Sequence, residues 1–205
     1  MIAIVDYGVG NLFSLTASFR AIGAEVRVTS DAEVIRSADK IILPGVGAFE
    51  DAAKKLRASG LSDVICEEAK RGKPLLGICL GMQLLFEKSF EYGEHKGLGL
   101  IPGNVHPIAD VIPKDLKIPH IGWNALQMKG EKSPIFKYIN EGDCVYFVHS
   151  FYAADCDEYV TSCAEYGVPL TASVAKGNVY GCQFHPEKSG EVGLSILRAF
   201  VEMEV

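Results

Sequence analysis

The sequence predicts an α/β domain whose mostly parallel central sheet is flanked by helices and prolonged by antiparallel strands. Two observations carry this reading. In the first half, short uninterrupted apolar runs alternate with segments of helical periodicity, the pattern of strands buried on both faces and joined by crossover helices. In the second half, strand-like runs succeed one another through tight turns instead.

Taken in order, Ile2–Val5 is a buried strand. After Gly8-Val9-Gly10-Asn11, the spacing of Leu12, Leu15, Phe19 and Ile22 predicts a helix that stops at Gly23. Strands follow at Glu25–Thr29 and Lys40–Leu43. Helices follow at Ala48–Ala58 and Leu61–Arg71, closed by Gly60 and Gly72. Pro74–Ile78 is the next strand and Gly81–Lys88 the helix after it. Residues 89–140 are punctuated by Gly and Pro. Beyond them Val145–Val148, Tyr159–Ala164, Thr171–Ala175 and Val179–Phe184 read as strands, with turns at Gly167-Val168-Pro169 and Lys176-Gly177-Asn178. A last helix runs from about Ser189 with Val192, Ile196, Phe200 and Met203 on one face. The expectation is one domain over residues 1–205, without repeats or linkers.

The bulk numbers narrow the function classes. A hydrophobic fraction of 48% and a charged fraction of 22% are ordinary for a globular protein. A net charge of −6 argues against nucleic acid as the partner. Met1–Asp6 lacks the basic start of a signal peptide, and no run approaches the roughly 20 apolar residues of a membrane span. Six cysteines without a C-x-x-C pair point to reduced thiols and a cytoplasmic location.

Chemistry concentrates in Gly77-Ile78-Cys79-Leu80-Gly81, which has the form G-x-nucleophile-x-G between a strand and a helix. Such an elbow lifts a thiol clear of the sheet and sets it at a helix N-terminus, which favours the thiolate. The plainer alternative is a buried cysteine in a turn. A nucleophilic thiol needs a base held by a third group. His185-Pro186-Glu187 supplies one: residues two apart in an extended segment share a face, so Glu187 can hold one ring nitrogen while the other meets Cys79. His149 is the rival base but lacks a carboxylate two residues away, while His95 and His106 fall in loop-like stretches. Oxyanion donors are expected from the backbone of Val46 and Gly47 in Pro44-Gly45-Val46-Gly47, and from Leu80 just after the nucleophile.

Together the P-G-x-G strand end, the G-x-C-x-G elbow and the late H-P-E resemble the class I, triad-type glutamine amidotransferases, over nearly the whole chain. Within that family the segments Asp6–Asn11, Gly77–Phe86, Pro119–Asn124, Tyr146–Tyr152 and Gln183–Ser189 are most similar to the glutaminases of histidine biosynthesis. Met82 and Lys188 depart from the anthranilate and aminodeoxychorismate type, and Phe151 stands where the family often has Tyr.

The resemblance implies a Cys79, His185, Glu187 triad that releases ammonia from L-glutamine. It further implies a separate cyclase subunit of (β/α)₈ barrel form, joined as a heterodimer, that uses the ammonia. It assigns Gly45, Gln83, Glu91 and the backbone of Ser150 and Phe151 to glutamine binding. Asn11, Trp123, Tyr146 and Lys188 are assigned to the partner interface or ammonia gate, although packing in the core would equally suit Trp123 and Tyr146. No cofactor is expected: Gly8-Val9-Gly10 lacks the third glycine of a dinucleotide fingerprint, position 13 being Phe. No metal-ligand spacing appears. A further expectation is that the chain alone is nearly silent and that the partner completes the oxyanion hole near Val46.

Overall fold

The computed structural model describes residues 1–204. Six helices occur in them: α1 (Leu12–Ala21), α2 (Ala32–Ser37), α3 (Phe49–Ala58), α4 (Leu61–Lys70), α5 (Leu80–Leu84) and α6 (Gly190–Val201). The first seven strands are β1 (Ile2–Val5), β2 (Val26–Thr29), β3 (Lys40–Leu43), β4 (Leu75–Ile78), β5 (Lys88–Ser89), β6 (His95–Lys96) and β7 (Asn104–Pro107). The rest are β8 (His120–Ala125), β9 (Gln127–Met128), β10 (Cys144–His149), β11 (Phe151–Ala154), β12 (Val160–Glu165), β13 (Pro169–Lys176) and β14 (Val179–Cys182).

The main sheet has the order β2-β1-β3-β4-β14-β13-β12-β9. Its pairings are parallel from β2 to β14 and antiparallel from β14 outward. This is the parallel sheet with an antiparallel extension that the sequence predicts. Alternation along the strands divides the core in two. Ala3, Val5, Ile41, Leu43 and Leu75 join the buried faces of α3 and α4 on one side. Ile2, Ile4, Ile42, Leu76 and Ile78 join Leu15 and Phe19 of α1 and Ile196 and Phe200 of α6 on the other.

Four local readings change. Helix α2, capped by the Asp31 carboxylate on the Glu33 N–H, stands in a stretch the sequence left unassigned. The helix expected over Gly81–Lys88 ends at Leu84, because the carbonyls of Leu84, Leu85 and Phe86 accept N–H groups from residues 98–101 instead of continuing a helical ladder. His95 and His106 lie in β6 and β7 rather than in loops. Finally, β10 does not join the main sheet but pairs only with β8 in a separate antiparallel ribbon. A third sheet has the order β11-β7-β5-β6.

The β10–β8 ribbon positions the end of the chain's chemistry. The carbonyl of Tyr146 accepts the His185 N–H at 2.9 Å. Ser189, 1% exposed, accepts the Tyr146 N–H at 3.0 Å and donates to the His185 carbonyl at 2.6 Å. Among the described residues no helix is long and apolar enough to cross a membrane. Replacing Ser189 by Ala leaves the part-buried Tyr146 N–H without its partner, while the His185 carbonyl keeps the Lys188 N–H, so Ser189→Ala should lower unfolding free energy by about 1 kcal/mol. Urea denaturation checks this, and an unchanged midpoint would show that the serine does not tie the ribbon to the turn.

Candidate active site

Strand β4 passes into α5 through Cys79, whose φ of 55° and ψ of −112° place a non-glycine residue in left-handed space. The strain is held from both sides. The Cys79 N–H donates to the Cys182 carbonyl at 2.8 Å, and its own carbonyl accepts from Gln83 at 3.2 Å. The flanking glycines are required by close approach. A Cβ on Gly81 would stand 1.8 Å from the Leu43 carbonyl oxygen, and one on Gly77 would stand 2.7 Å from that of Gly81. The elbow reading therefore has a geometric basis. With α5 only five residues long, activation of the thiol must rest more on its imidazole neighbour than on the helix end.

His185 Nδ1 lies 2.9 Å from Glu187 Oε1, the two side chains being 2% and 4% exposed. Cys79 and His185 line the same cleft. Burial opposes the imidazolium, but the neighbouring Cys79 and Glu187 outweigh it and lift the pKa to about 9. The pair forms across a short 3₁₀ turn, Pro186–Lys188, rather than along an extended strand. Glu187 Oε2 is buried without a hydrogen-bond partner.

Cys79 and His185 open on a cleft of about 340 Å³, within the range of small-molecule sites. Of the residues expected there, Val46, Gly47, Leu80, Gln83, Glu91, Ser150 and Phe151 line it; Lys188, expected at the partner interface or ammonia gate, joins them with Tyr92, Pro119, Val148 and His149. Gly45 instead lies behind the wall, where a Cβ would meet Gly81 N, Leu80 Cβ and Tyr7 Oη at 2.8–2.9 Å. Its carbonyl accepts the Leu80 N–H at 3.3 Å, so that donor is engaged rather than turned to the cleft.

Comparison with known proteins decides the family. The family described as glutamine amidotransferase class-I matches residues 3–203. The chain belongs to the class-I glutamine amidotransferases. It is 50% identical over 204 residues to an imidazole glycerol phosphate synthase subunit HisH from Caldanaerobacter subterraneus subsp. tengcongensis, covering 99% of this chain and 98% of that one. It is also 50% identical over 202 residues to the subunit of the same name from Lactococcus lactis subsp. lactis, with 98% of each covered. A crystal structure of a glutamine amidotransferase shares the fold with a TM-score of 0.76 at 20% identity, over 98% of both chains.

The remaining expected residues of this amidotransferase divide. Lys188 Nζ lies 5.9 Å from the centre of the Tyr146 ring, and Trp123 meets the same ring edge-on at 6.2 Å. Trp123 is 58% exposed, which sets aside core packing for it. Asn11 caps α1, its side-chain oxygen accepting the Ser14 N–H at 3.4 Å. Glu91 Oε2 accepts the Phe49 N–H at 2.7 Å. Burial raises its pKa, an effect this bond and nearby His95 partly offset. Among the described residues no group of three or more His, Cys, Asp or Glu is placed to hold a metal.

Two features escaped the sequence reading. Gln183, fully buried, directs Nε2 at Cys79 Sγ from 3.7 Å. It opens the Gln183–Ser189 segment, but nothing in the spacing shows that its side chain turns to the thiol. His149 is not a rival base: its Nδ1 meets the Phe151 carbonyl at 2.8 Å and its Nε2 meets His120 Nδ1 at 3.0 Å. Because the carbonyl only accepts, His149 carries its proton on Nδ1 and takes one from His120. His120 Nε2 then accepts from Asn124 Nδ2 at 3.2 Å. The two histidines face each other in the β10–β8 register, a pairing invisible from either strand alone.

Burial drives His149 down to about 4, and it also lowers His120. Between that value and the unfolded value of about 6.5, the unfolded chain binds more protons than the folded one. Stability held above pH 6.5 is therefore lost as pH falls towards 4. His149→Gln should show a shallower acid limb than the parent in urea midpoints taken from pH 7 to pH 4. Parallel limbs would contradict a buried neutral imidazole.

Proposed function

We propose that this chain is the glutaminase subunit of an imidazole glycerol phosphate synthase, hydrolysing L-glutamine through a Cys79 thioester. The observation that carries the mechanism is the elbow cysteine opening on the cleft beside an imidazole that Glu187 holds at 2.9 Å. Full-length relatives at 50% identity carry the assignment to this synthase.

The Cys79 sulfur attacks the side-chain amide carbon of glutamine, forming the C–S bond and placing charge on the amide oxygen. His185 holds the proton that the departing ammonia requires, and Glu187 keeps that imidazolium aligned. The tetrahedral species collapses by breaking the C–N bond. Water, deprotonated by His185, then cleaves the thioester to glutamate and restores the thiol. The cleft suits the amino-acid head of glutamine, with Glu91 for its ammonium and Gln83, Ser150 and Phe151 for the rest of it. Val46 and Gly47 are the oxyanion donors in this reading.

Ammonia passes to a separate (β/α)₈ cyclase subunit that forms imidazole glycerol phosphate and an aminoimidazole carboxamide ribotide. In this reading exposed Trp123 and Lys188, with half-buried Tyr146 between them, meet that partner. The chain alone rests nearly silent, and docking completes the oxyanion hole. Two features support this. The Leu80 N–H is tied to the Gly45 carbonyl, and the neighbouring Val46-Gly47 segment is exposed, with Gly47 at a φ of 92°.

Glutamate release, measured with and without the cyclase partner and its nucleotide ligand, tests this function. Strong stimulation by the partner, lost on Cys79→Ala, is the expected result. Stimulation by an anthranilate, aminodeoxychorismate or pyridoxal phosphate synthase partner instead would move the chain to that enzyme.

A further inference from the structure

We infer that Gln183 is a positioning residue for the nucleophile, holding the Cys79 sulfur through its side-chain amide. The inference rests on the reading of Cys79 as the attacking group. Gln183 sits two residues before His185 at the end of β14, with its backbone N–H on the Ala172 carbonyl at 2.8 Å. Its side chain is fully buried, a setting in which an apolar residue of the same length would pack without any polar demand.

The direction of the amide is fixed by its neighbours. The Phe151 carbonyl can only accept, so Gln83 turns its NH₂ towards it, at 3.2 Å. The same NH₂ lies 3.0 Å from Gln183, which must therefore present its oxygen there. That leaves the NH₂ of Gln183 facing Cys79 Sγ at 3.7 Å, a distance suited to a donor on sulfur. A thiolate is a much better acceptor than a thiol, so this donor selects the reactive form and fixes where its lone pairs point.

His185 lines the same cleft as the sulfur. The two groups divide the work: the imidazole exchanges the proton, while the amide, which cannot titrate, keeps the sulfur in place while the proton moves. The far end of the network is the backbone segment assigned to glutamine. One amide thus stands between the group that grips the substrate and the atom that attacks it.

Gln183→Leu and Gln183→Met remove the donor while filling the space. Alkylation of Cys79 by iodoacetamide, followed on the Cys79 peptide by mass spectrometry across pH in the isolated chain, reads the sulfur directly. Steady-state kinetics of the complex with the cyclase partner reads kcat and KM. Both variants should alkylate about tenfold more slowly at neutral pH. Their kcat should fall about tenfold while KM stays within about twofold. Where Leu fails to fold by circular dichroism, the unbranched Met variant decides. A parental alkylation profile in a folded variant overturns the inference, as does a rise in KM at unchanged kcat. Alkylation needs neither glutamine nor partner, so these results leave the glutaminase reading standing. Absence of glutamine turnover by the unsubstituted complex, with normal alkylation, would sink that reading instead.

Discussion

The backbone at Cys79 is the constraint on which the site depends. A left-handed φ at a residue with a side chain persists only where the surroundings over-determine it, and here they do so on each side. The β4–β14 pairing holds the N–H, the first turn of α5 holds the carbonyl, and the Gly81 backbone lies against the Leu43 carbonyl with no room for a methyl group. Because β3, β4 and β14 are adjacent parallel strands, their C-terminal ends present the P-G-V-G segment, the elbow and the H-P-E turn at one sheet edge. The topology brings three distant segments together, and the strained residue fixes the sulfur among them.

Around that sulfur, polar groups are buried in chains that end on backbone carbonyls. Such an end fixes the sense of every hydrogen bond before it. The Phe151 carbonyl orients Gln83 and, from the other side, His149 and His120. The neutral histidine pair and the charged His185 lie on the same strand ribbon or against it, yet titrate in opposite directions. Desolvation prevails at His149, whereas Cys79 and Glu187 prevail over it at His185. The remaining buried cysteine beside the elbow, Cys182, has its thiol raised by burial and donates it to the Gly77 carbonyl at 3.8 Å.

Much of this was legible in the sequence. The apolar runs at Ile2–Val5 and Lys40–Leu43 identify buried parallel strands, and the elbow, the P-G-x-G end and H-P-E identify the family. What escaped has a common physical cause. The end of α5 is decided by residues 98–101 taking its carbonyls, and the role of His149 by the facing strand. The inward turn of Gln183 depends on Gln83, 100 residues away. Local pattern carries none of these. Asn11 is the converse: its position just before a periodic apolar stretch is an N-cap signal that local pattern does carry.

In the proposed mechanism Cys79 carries the glutamyl group during turnover. Acid quenching of the complex during steady-state glutamine hydrolysis, followed by intact-mass and peptide mass spectrometry, measures this most directly. A glutamyl adduct confined to the Cys79 peptide, formed and discharged at rates that match turnover, is the predicted result. Sustained turnover with no adduct, or an adduct on another residue, would contradict the account.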